Sequence, residues 1–363
     1  MVAAALLGVA VSTSPTAKAD TLYRQNSGAG TTLDTATFTP AAPGSIIQNY
    51  AEGSAFTTAD DIIFGNFITA ATTFRVSATT ATNLQVYGLT IGNLFNGTLL
   101  NPGGAITIQN ASNASGGAAI ANTITLGAGG IDMFRAGQNL TISRDATVAT
   151  NAMTVALGAA QTWRVNTSRT LTVSNDITTG ANALTIRGGV AGAGTVVLGS
   201  TTGSITGGGA LIIEGMNVLT GNTVTLSGNN GVAGLGATTV GGGSQLNIDQ
   251  SAASQNKLND TAALTLNRAT LNLQGTGAGT ETVGSLVLGG TFNAITRSAG
   301  TGVLGASAIT RSAGAVLNVA VGTYSCRVHR DLRAHLAAAP FVETHFAVGN
   351  PCDRHSLKPP PST

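Results

Sequence analysis

Two Cys-x-x-His pairs have the residue types and spacing that best suit metal chemistry in this chain. Cys326-x-x-His329 and Cys352-x-x-His355 together offer two thiolates and two imidazoles, a set that Zn²⁺ accepts in tetrahedral sites. The segment between the pairs is long for one shared site, so we predict no bound metal. In an exported protein the same two cysteines can instead form a disulfide, because thiols oxidise outside the cytoplasm.

Carboxylates offer the other route to catalysis. Asp60 and Asp61 are the only adjacent acids in residues 1–324. Neighbours on a strand point to opposite faces, so we interpret this pair as turn residues. Asp132 and Asp145 share a stretch with several arginines, which predicts either a solvated face with weak ion pairs or a saccharide-binding face. The arginines are Arg135, Arg144, Arg164, Arg169 and Arg187.

Residues 1–324 exclude several other chemistries. They contain neither Cys nor His, so they hold no Ser–His or Cys–His nucleophile pair and no imidazole ligand. No phosphate-binding Gly-x₄-Gly-Lys-Ser/Thr loop is present, and glycine clusters such as residues 275–279 are predicted to form turns. We therefore predict no enzymatic activity, no catalytic residue and no cofactor. Trp163, the single tryptophan, suits stacking on a sugar, but a core or coil-end position is favoured.

Few charges and few aromatic side chains distinguish the composition. Charged residues make up 9% and aromatic residues 4% of the chain, against about 25% charged residues in ordinary soluble domains. Residues 1–324 hold twelve basic and twelve acidic side chains, with no clustered basic face, so we expect no nucleic-acid partner. Scarce aromatics argue against one large globular core and favour a thin aliphatic core repeated many times.

The start of the chain resembles an export signal. Residues 2–11, VAAALLGVAV, form an apolar run that is too short to span a bilayer, which takes about 20 residues. Ala17-Lys-Ala19 gives an A-x-A cleavage pattern before Asp20, so we predict a signal peptide over residues 1–19. No Lys or Arg precedes the run, which leaves an ordinary N-terminus as the alternative.

Short apolar-x-apolar triplets between glycine- and asparagine-rich turns dominate residues 101–324. Their period of two indicates strands, with the middle Thr or Asn facing away from its neighbours. An antiparallel sandwich is the alternative. The uniform texture favours a solenoid, in which each coil buries side chains on the next and stacked Asn and Thr form ladders. The triplets are Ile106-Thr-Ile108, Ile124-Thr-Leu126, Leu140-Thr-Ile142, Leu171-Thr-Val173, Leu184-Thr-Ile186, Val224-Thr-Leu226, Leu246-Asn-Ile248, Leu264-Thr-Leu266, Leu271-Asn-Leu273, Leu286-Val-Leu288 and Leu317-Asn-Val319.

Three phrases between residues 180 and 248 carry a recognisable motif. They are Gly192-Ala-Gly194-Thr-Val-Val-Leu198-Gly-Ser200, Val224-Thr-Leu-Ser-Gly-Asn-Asn230 and Gly236-Ala-Thr-Thr-Val240-Gly-Gly-Gly243. They resemble the autotransporter-associated β-strand repeat, and the likeness extends over about residues 120–322. The positions that match the repeat motif are Gly194, Leu198, Leu226, Ser227, Gly228, Asn229, Asn230, Thr238 and Val240.

This resemblance implies a right-handed parallel β-helix that a Gram-negative bacterium exports through its outer membrane by a C-terminal β-barrel. The chain departs from the family at its end, which lacks the alternating strands that a barrel needs. Association with the outer membrane is thus expected only through a barrel absent from this chain. We expect a structural or adhesive protein at the cell surface or outside the cell, with surface polysaccharide or other cells as partners. The alternative is a β-helical polysaccharide lyase or glycoside hydrolase.

Four segments are expected along the chain. The signal peptide covers 1–19, an N-terminal cap with the first coils covers 20–100, the repeat region covers 101–324, and an irregular tail covers 325–363. The tail holds all four histidines and both cysteines, so its composition breaks with the rest. A frameshifted or chimeric reading frame and a disordered tail are the two main interpretations of that break.

Overall fold

A computed structural model describes most of the chain between residues 21 and 321. The described residues are 21–24, 31–32, 38–39, 60–65, 68–76, 83–95, 98–110, 120–145, 151–188, 192, 194–199, 203–215, 221–227, 235–251, 257–277 and 279–321. The predicted cleavage site at Ala17, Ala19 and Asp20 lies outside them, as do both Cys-x-x-His pairs, the whole 325–363 tail, and the motif residues 228–230. The bounds of the four predicted segments stay predictions.

All regular elements in this described part of the chain are strands. They are β1 (Thr21–Arg24), β2 (Thr31–Thr32), β3 (Phe38–Thr39), β4 (Asp61–Phe64), β5 (Thr72–Arg75), β6 (Asn83–Ile91), β7 (Asn93–Phe95), β8 (Thr98–Leu100), β9 (Ile106–Gln109), β10 (Ala121–Met133), β11 (Leu140–Ser143), β12 (Ala152–Leu157), β13 (Gln161–Val165), β14 (Thr170–Val173), β15 (Asp176–Gly180), β16 (Leu184–Gly188), β17 (Thr195–Leu198), β18 (Ile205–Gly207), β19 (Leu211–Glu214), β20 (Thr223–Leu226), β21 (Thr238–Gly241), β22 (Gln245–Asp249), β23 (Ala263–Asn267), β24 (Thr270–Gln274), β25 (Thr280–Val283), β26 (Ser285–Gly289), β27 (Phe292–Arg297), β28 (Val303–Ala306), β29 (Ile309–Arg311) and β30 (Val316–Val321). The predicted all-β class is confirmed, and each predicted triplet lies on one of these strands. A search of the same residues for an apolar helix of membrane-spanning length finds none.

Two long sheets contain most of these strands. The first sheet runs in the order β29-β26-β23-β21-β19-β16-β13-β10-β6-β4-β1-β3, with β12, β15 and β18 branching from β10. The second sheet runs β2-β5-β9-β11-β14-β17-β20-β22-β24-β27-β30. Pairing is antiparallel only for β1 with β3 and for β7 with β8 among the described strands. The antiparallel sandwich is therefore ruled out for this part of the chain.

From β4 onward the chain crosses repeatedly between the two long sheets and returns to each of them after one circuit, which we call a coil. Each strand lies parallel to the equivalent strand of the next coil, as in the register of Leu140 with Leu171 and of Leu171 with Val196. Partners are 34 residues apart at Gln109 and Ser143 and 22 apart at Thr225 and Asn247. This repeated return in parallel register is compatible with a β-helix or solenoid. The variable number of residues per coil explains why the spacing of the triplets is irregular.

The core is a set of aliphatic columns between the sheets. In the second sheet Leu171, Val196 and Val224 stack in register, and each is fully buried. Burial of one such side chain contributes about 1.5–3 kcal/mol, and the next coil supplies the covering surface. The pattern weakens in the last triplet, where Val319 is 46% exposed.

Side-chain ladders run along the outside of the second sheet, as the sequence predicts. Asn247 donates from Nδ2 to Oγ1 of Thr225 at 3.1 Å, and Asn272 donates from Nδ2 to Oδ1 of Asn247 at 3.1 Å. The hydroxyl of Thr296 donates to Oδ1 of Asn272 at 3.0 Å. Asn247 and Asn272 are each 7% exposed, so these outward amides are satisfied by their neighbours rather than by bulk water.

Candidate functional site

A row of four charged side chains crosses neighbouring strands on the outward face of the first sheet. The register pairs Asp132 of β10 with Arg164 of β13, Arg164 with Arg187 of β16, and Arg187 with Glu214 of β19. Inward neighbours on the same strands, such as Trp163 and Ile186, are fully buried. Since side chains alternate between the faces of a sheet, burial of these neighbours directs the charged residues outward. We call Asp132, Arg164, Arg187 and Glu214 the charged row.

The two ends of the charged row carry ion pairs of unequal quality. Nε of Arg187 donates to Oε2 of Glu214 at 2.5 Å. Nη1 of Arg164 lies 3.7 Å from Oδ2 of Asp132, beyond hydrogen-bonding distance. The side chains of Arg164 and Arg187 are 46% and 52% exposed. Pairs this exposed contribute under about 1 kcal/mol each, so the row is not required for folding.

The centre of the charged row places two like charges side by side. Arg164 and Arg187 lie directly opposite one another in the parallel register. Like charges at opposed positions destabilise a sheet. The carboxylates of Asp132 and Glu214 are on the outer sides of this arginine pair, so neither stands between the two guanidinium groups in the order of strands. The arrangement favours an anion that contacts both arginines.

An aromatic ring extends the row into a groove. Phe134 follows the end of β10, and its ring is 5.6 Å from the guanidinium carbon of Arg135 and 5.7 Å from that of Arg164. Such distances are within the range of cation–π attraction. The open groove beside the ring has a volume of about 440 Å³. Its lining comprises Phe134, Arg164, Arg187, Gly188, Glu214 and Gly215.

Asp61 lies on the same face and corrects one sequence interpretation. It is the first residue of β4, which pairs with β6, so the reading of Asp61 as a turn residue is wrong. Thr90 donates from Oγ1 to Oδ2 of Asp61 at 3.3 Å, and Thr90 is in register with Asp132. Burial raises the pKa of Asp61 to about 7, against the hydrogen bond from Thr90 and with a smaller contribution from the charge of Asp132.

Asp132 and Asp145 belong to different sheets. Asp145 follows β11 of the second sheet and accepts a hydrogen bond at 2.6 Å from Nη1 of Arg75. It is 4% exposed, whereas the side chain of Asp132 is 37% exposed. Because one carboxylate is held in a nearly buried ion pair and the other lies on the outward face of the first sheet, the two do not form a shared acid/base site.

The arginines of the predicted charged stretch divide in the same way. Arg135, Arg164 and Arg187 border the groove or its aromatic ring. Arg144 and Arg169 lie just after β11 and just before β14, strands of the second sheet. The hypothesis of one saccharide-binding face that includes all five arginines is therefore wrong. Only Arg135, Arg164 and Arg187 lie near the groove.

Trp163 is an interior residue. Its side chain is fully buried, and its indole Nε1 donates to Oε1 of Gln161 at 2.8 Å. A buried indole with its donor satisfied is a packing element. This confirms the favoured core interpretation and excludes stacking of Trp163 on an external sugar.

The described residues of the repeat motif lie in the buried core or at contacts between neighbouring coils. Leu198 and Leu226 are in register and buried in the second sheet, and Val240 is buried in the first. The hydroxyl of Ser227 donates to the carbonyl of Gly199 at 3.2 Å. At Gly194 an added Cβ would lie 2.5 Å from the carbonyl oxygen of Asn166, so glycine permits the close approach of two coils. Thr238, which is 3% exposed, completes the set.

Glu281 is an acid in the interior, away from the charged row. It is fully buried on β25, and its two carboxyl oxygens accept the backbone N–H groups of Lys257 at 2.8 Å and Leu258 at 2.6 Å. Burial raises the pKa of Glu281 to about 7, although both hydrogen bonds and the charge of Lys257 act in the opposite direction. Burial likewise lowers the pKa of Lys257. These contacts hold the loop that contains Lys257 and Leu258 against β25.

Residue identity alone does not reveal Phe134 and Glu214 as neighbours of the arginines. Their proximity comes from register, and register depends on coil lengths that the irregular triplet spacing hides. Among the described residues, no group of three or more His, Cys, Asp or Glu is placed to hold a metal ion. No protein-family model matches the chain, nor does a curated protein or a solved structure.

Proposed function

We propose that the chain is the β-helical passenger of an autotransporter-like protein, exported to the cell surface or secreted, with a structural or adhesive role and no catalytic activity. The observation that carries this proposal is the in-register stacking of parallel strands over successive coils, seen for example from Leu140 through Leu171 to Val196. A solenoid of this kind makes an elongated body, because each coil contacts chiefly its neighbours.

Right-handed winding is part of the proposal. Connections between parallel strands of one sheet are right-handed in about 98% of cases, since twisted strands pack back onto their sheet most readily that way. From β4 onward the described returns of the chain to a neighbouring strand of the same sheet, such as β13 to β16 and β16 to β19, are connections between parallel strands. The resemblance to the autotransporter repeat supports the same hand.

An adhesive or mechanical role follows from what the outside of the stack offers. Its strands add about 4.8 Å of length per coil and present hydroxyl, amide and a few charged groups outward. The second sheet ties its outward groups to each other, as in the contact of Asn272 with Asn247. Such a rod holds its shape without a large globular core and displays the groove of the first sheet away from the cell.

Export is tested by the size and accessibility of the protein in a Gram-negative host that carries the full-length gene. We expect Ala19→Arg to block signal cleavage and leave a longer precursor, with Lys18→Gln as the control, because the middle residue of the A-x-A pattern is not specified. We expect external protease to release fragments from intact cells that express the unaltered protein. Full protection on intact cells, with digestion after lysis, would contradict the surface location.

A polysaccharide lyase or glycoside hydrolase is the second candidate, and one observation favours it. Asp61, with a pKa of about 7, lies on the same face as Asp132, which is exposed beside the groove. Two carboxyl groups on one face, one of them with a raised pKa, are what acid/base cleavage of a glycosidic bond uses. Release of reducing ends from a polysaccharide by the purified protein, abolished by Asp132→Ala and by Asp61→Asn, would establish this function and overturn the non-catalytic proposal.

A further inference from the structure

We propose that the groove beside the charged row binds the carboxylate of an acidic saccharide, with Arg164 and Arg187 as the anion clamp and Phe134 as the platform for the sugar ring. This inference deepens the proposed function and rests on it for the source of the ligand, an extracellular or surface polysaccharide. It adds a ligand class and the residues that recognise it.

The arginine pair supplies the anion site. Arg164 and Arg187 stand opposite one another on adjacent strands, at a spacing of about 4.8 Å. Arg164 makes no hydrogen bond with its guanidinium group within the described part of the chain, and Arg187 uses Nε for Glu214. Both therefore keep donors for a ligand. A carboxylate matches the planar fork of a guanidinium group and offsets the repulsion between the two cations.

Phe134 supplies an apolar surface in the same groove. The cations of Arg135 and Arg164 are on its ring at 5.6 and 5.7 Å, an arrangement that restrains the side chain by attraction to the π-system. The ring is half-buried. A sugar ring can pack its apolar C–H groups against the part of this side chain that stays exposed, because such contact removes apolar surface from water. A ligand whose ring lies near Phe134 can direct a carboxylate toward Arg164.

The two carboxylates of the row restrict the kind of anion. Asp132 and Glu214 are at the ends of the row, where they repel densely charged polymers and accept hydrogen bonds from hydroxyl groups. The row spans three strand spacings, about 14 Å. A ligand with one carboxylate per ring and hydroxyl groups on either side fits this order of charges. A nucleic acid, which carries a phosphate at each unit and needs a basic face, does not.

Binding to the purified chain tests the proposal with defined probes. By calorimetry we expect an oligogalacturonate to bind and its fully methyl-esterified form, which has the same rings without charge, to bind far more weakly. Arg164→Gln and Arg187→Gln should each reduce the affinity about tenfold or more, the effect expected when one charge-assisted hydrogen bond is lost. Arg311→Gln is the matched control, since Arg311 is exposed on β29, outside the groove lining.

Several results would overturn the proposal. Equal binding of the acid and its methyl ester would show that the carboxylate is not recognised. Unchanged affinity in both groove variants, with circular dichroism showing that they are folded, would exclude the arginine clamp. Stronger binding of a sulfated glycan than of the uronate would assign the site to sulfate. Because calorimetry uses the isolated protein, failure here leaves the export and protease results intact, and protected protein on cells leaves the groove result intact.

Discussion

The two long sheets share one interior and differ on the outside. Inward columns of both are aliphatic and buried, as at Ile186 in the first sheet and Leu171 in the second. Outward columns differ in charge: the second sheet carries Asn and Thr side chains that hydrogen-bond along the stack, and the first, which has a few similar contacts, also carries the charged row with two arginines opposed. Both sheets therefore stack in the same way, and their outward side chains distinguish a hydrogen-bonded ladder in the second sheet from a surface in the first that we propose binds a ligand.

Stacking a side chain on a similar one in the next coil is favourable for amides and unfavourable for guanidinium groups. Asn247 and Asn272 gain from being next to a similar residue, because an amide both donates and accepts. Arg164 and Arg187 lose from the same adjacency, because guanidinium groups only donate and repel each other. A stack that keeps an unfavourable pair at an exposed groove, yet satisfies the ladder amides of its second sheet, has the composition expected of a recognition site on a structural scaffold.

The largest loss of stability should come from substitutions in the buried core that the two sheets share. Leu171→Ala and Ile186→Ala each remove a fully buried side chain, and we expect each to lower the free energy of unfolding by about 2–5 kcal/mol. Urea denaturation followed by circular dichroism measures both. A loss under about 1 kcal/mol in one sheet alone would show that the sheets are not equivalent in the core.

An ionisable residue at an inward position makes the shared interior sensitive to pH. The pKa of Glu281 is raised from 4.5 to about 7 in the folded chain, so the folded state holds more protons than the unfolded state between those values. The contribution of Glu281 to the free energy of unfolding is therefore fully present below about pH 4.5. It is lost as pH rises to about 7, by roughly 3 kcal/mol. Asp61, raised from 3.8 to about 7, acts with the same sign.

Urea unfolding from pH 4 to pH 8 tests this effect. Glu281→Gln should flatten much of the decline while preserving a side chain of similar size. Asp249→Asn serves as the control, being an acid at the end of β22 that is half-buried. An unchanged slope in the Glu281 variant would contradict the assignment of the interior acid as its source.

The ladder of the second sheet should respond more than the matched column of the first. Asn272→Ala leaves Oδ1 of Asn247 without one donor and Oγ1 of Thr296 without its acceptor, and we expect a loss of about 1–2 kcal/mol. Thr265→Ala, on the outward face of β23 in the first sheet, should cost under about 1 kcal/mol. Thermal unfolding of the two variants compares them directly, and equal losses would refute the distinction between the outward faces.

The smallest change in stability is expected from substitutions in the charged row. Arg164→Gln removes one of two opposed cations, so stability should stay the same or rise by up to about 0.5 kcal/mol at low salt. Added salt should abolish the difference, because it screens charges at an exposed surface. A loss above about 1 kcal/mol would mean that Arg164 is a structural residue and would weaken its role in ligand binding.

The sequence predicts the strands well because a period of two is a local signal. Triplets such as Leu171-Thr-Val173 lie on strands with their ends buried and their middle outward, and the glycine run that ends at Gly243 forms a turn with φ of 61° at Gly242 and 76° at Gly243. The Asn and Thr ladder and the interior place of Trp163 follow from the same pattern. None of these depends on the length of a coil.

Site geometry depends on coil length and so is hidden from the sequence. Asp132 and Asp145 are close in the chain but belong to different sheets, whereas Arg187 and Glu214, 27 residues apart, form an ion pair. Register partners are 42 residues apart at Gly88 and Gly130 but 22 apart at Thr225 and Asn247, so local periodicity does not show which outward residues become neighbours. Asp61, interpreted from sequence as a turn residue, belongs to a strand because β6 lies beside β4.

Distances between spin labels along the outward column of the second sheet test parallel stacking most directly. Thr107 is linked through successive register partners to Val197, Thr225 and Asn272. With Cys326 and Cys352 replaced by serine, one label at Thr107 and a second at each of these positions should give backbone separations of about 14, 19 and 29 Å, growing by about 4.8 Å per strand. Distances that fail to increase in this order would contradict the stacked coils.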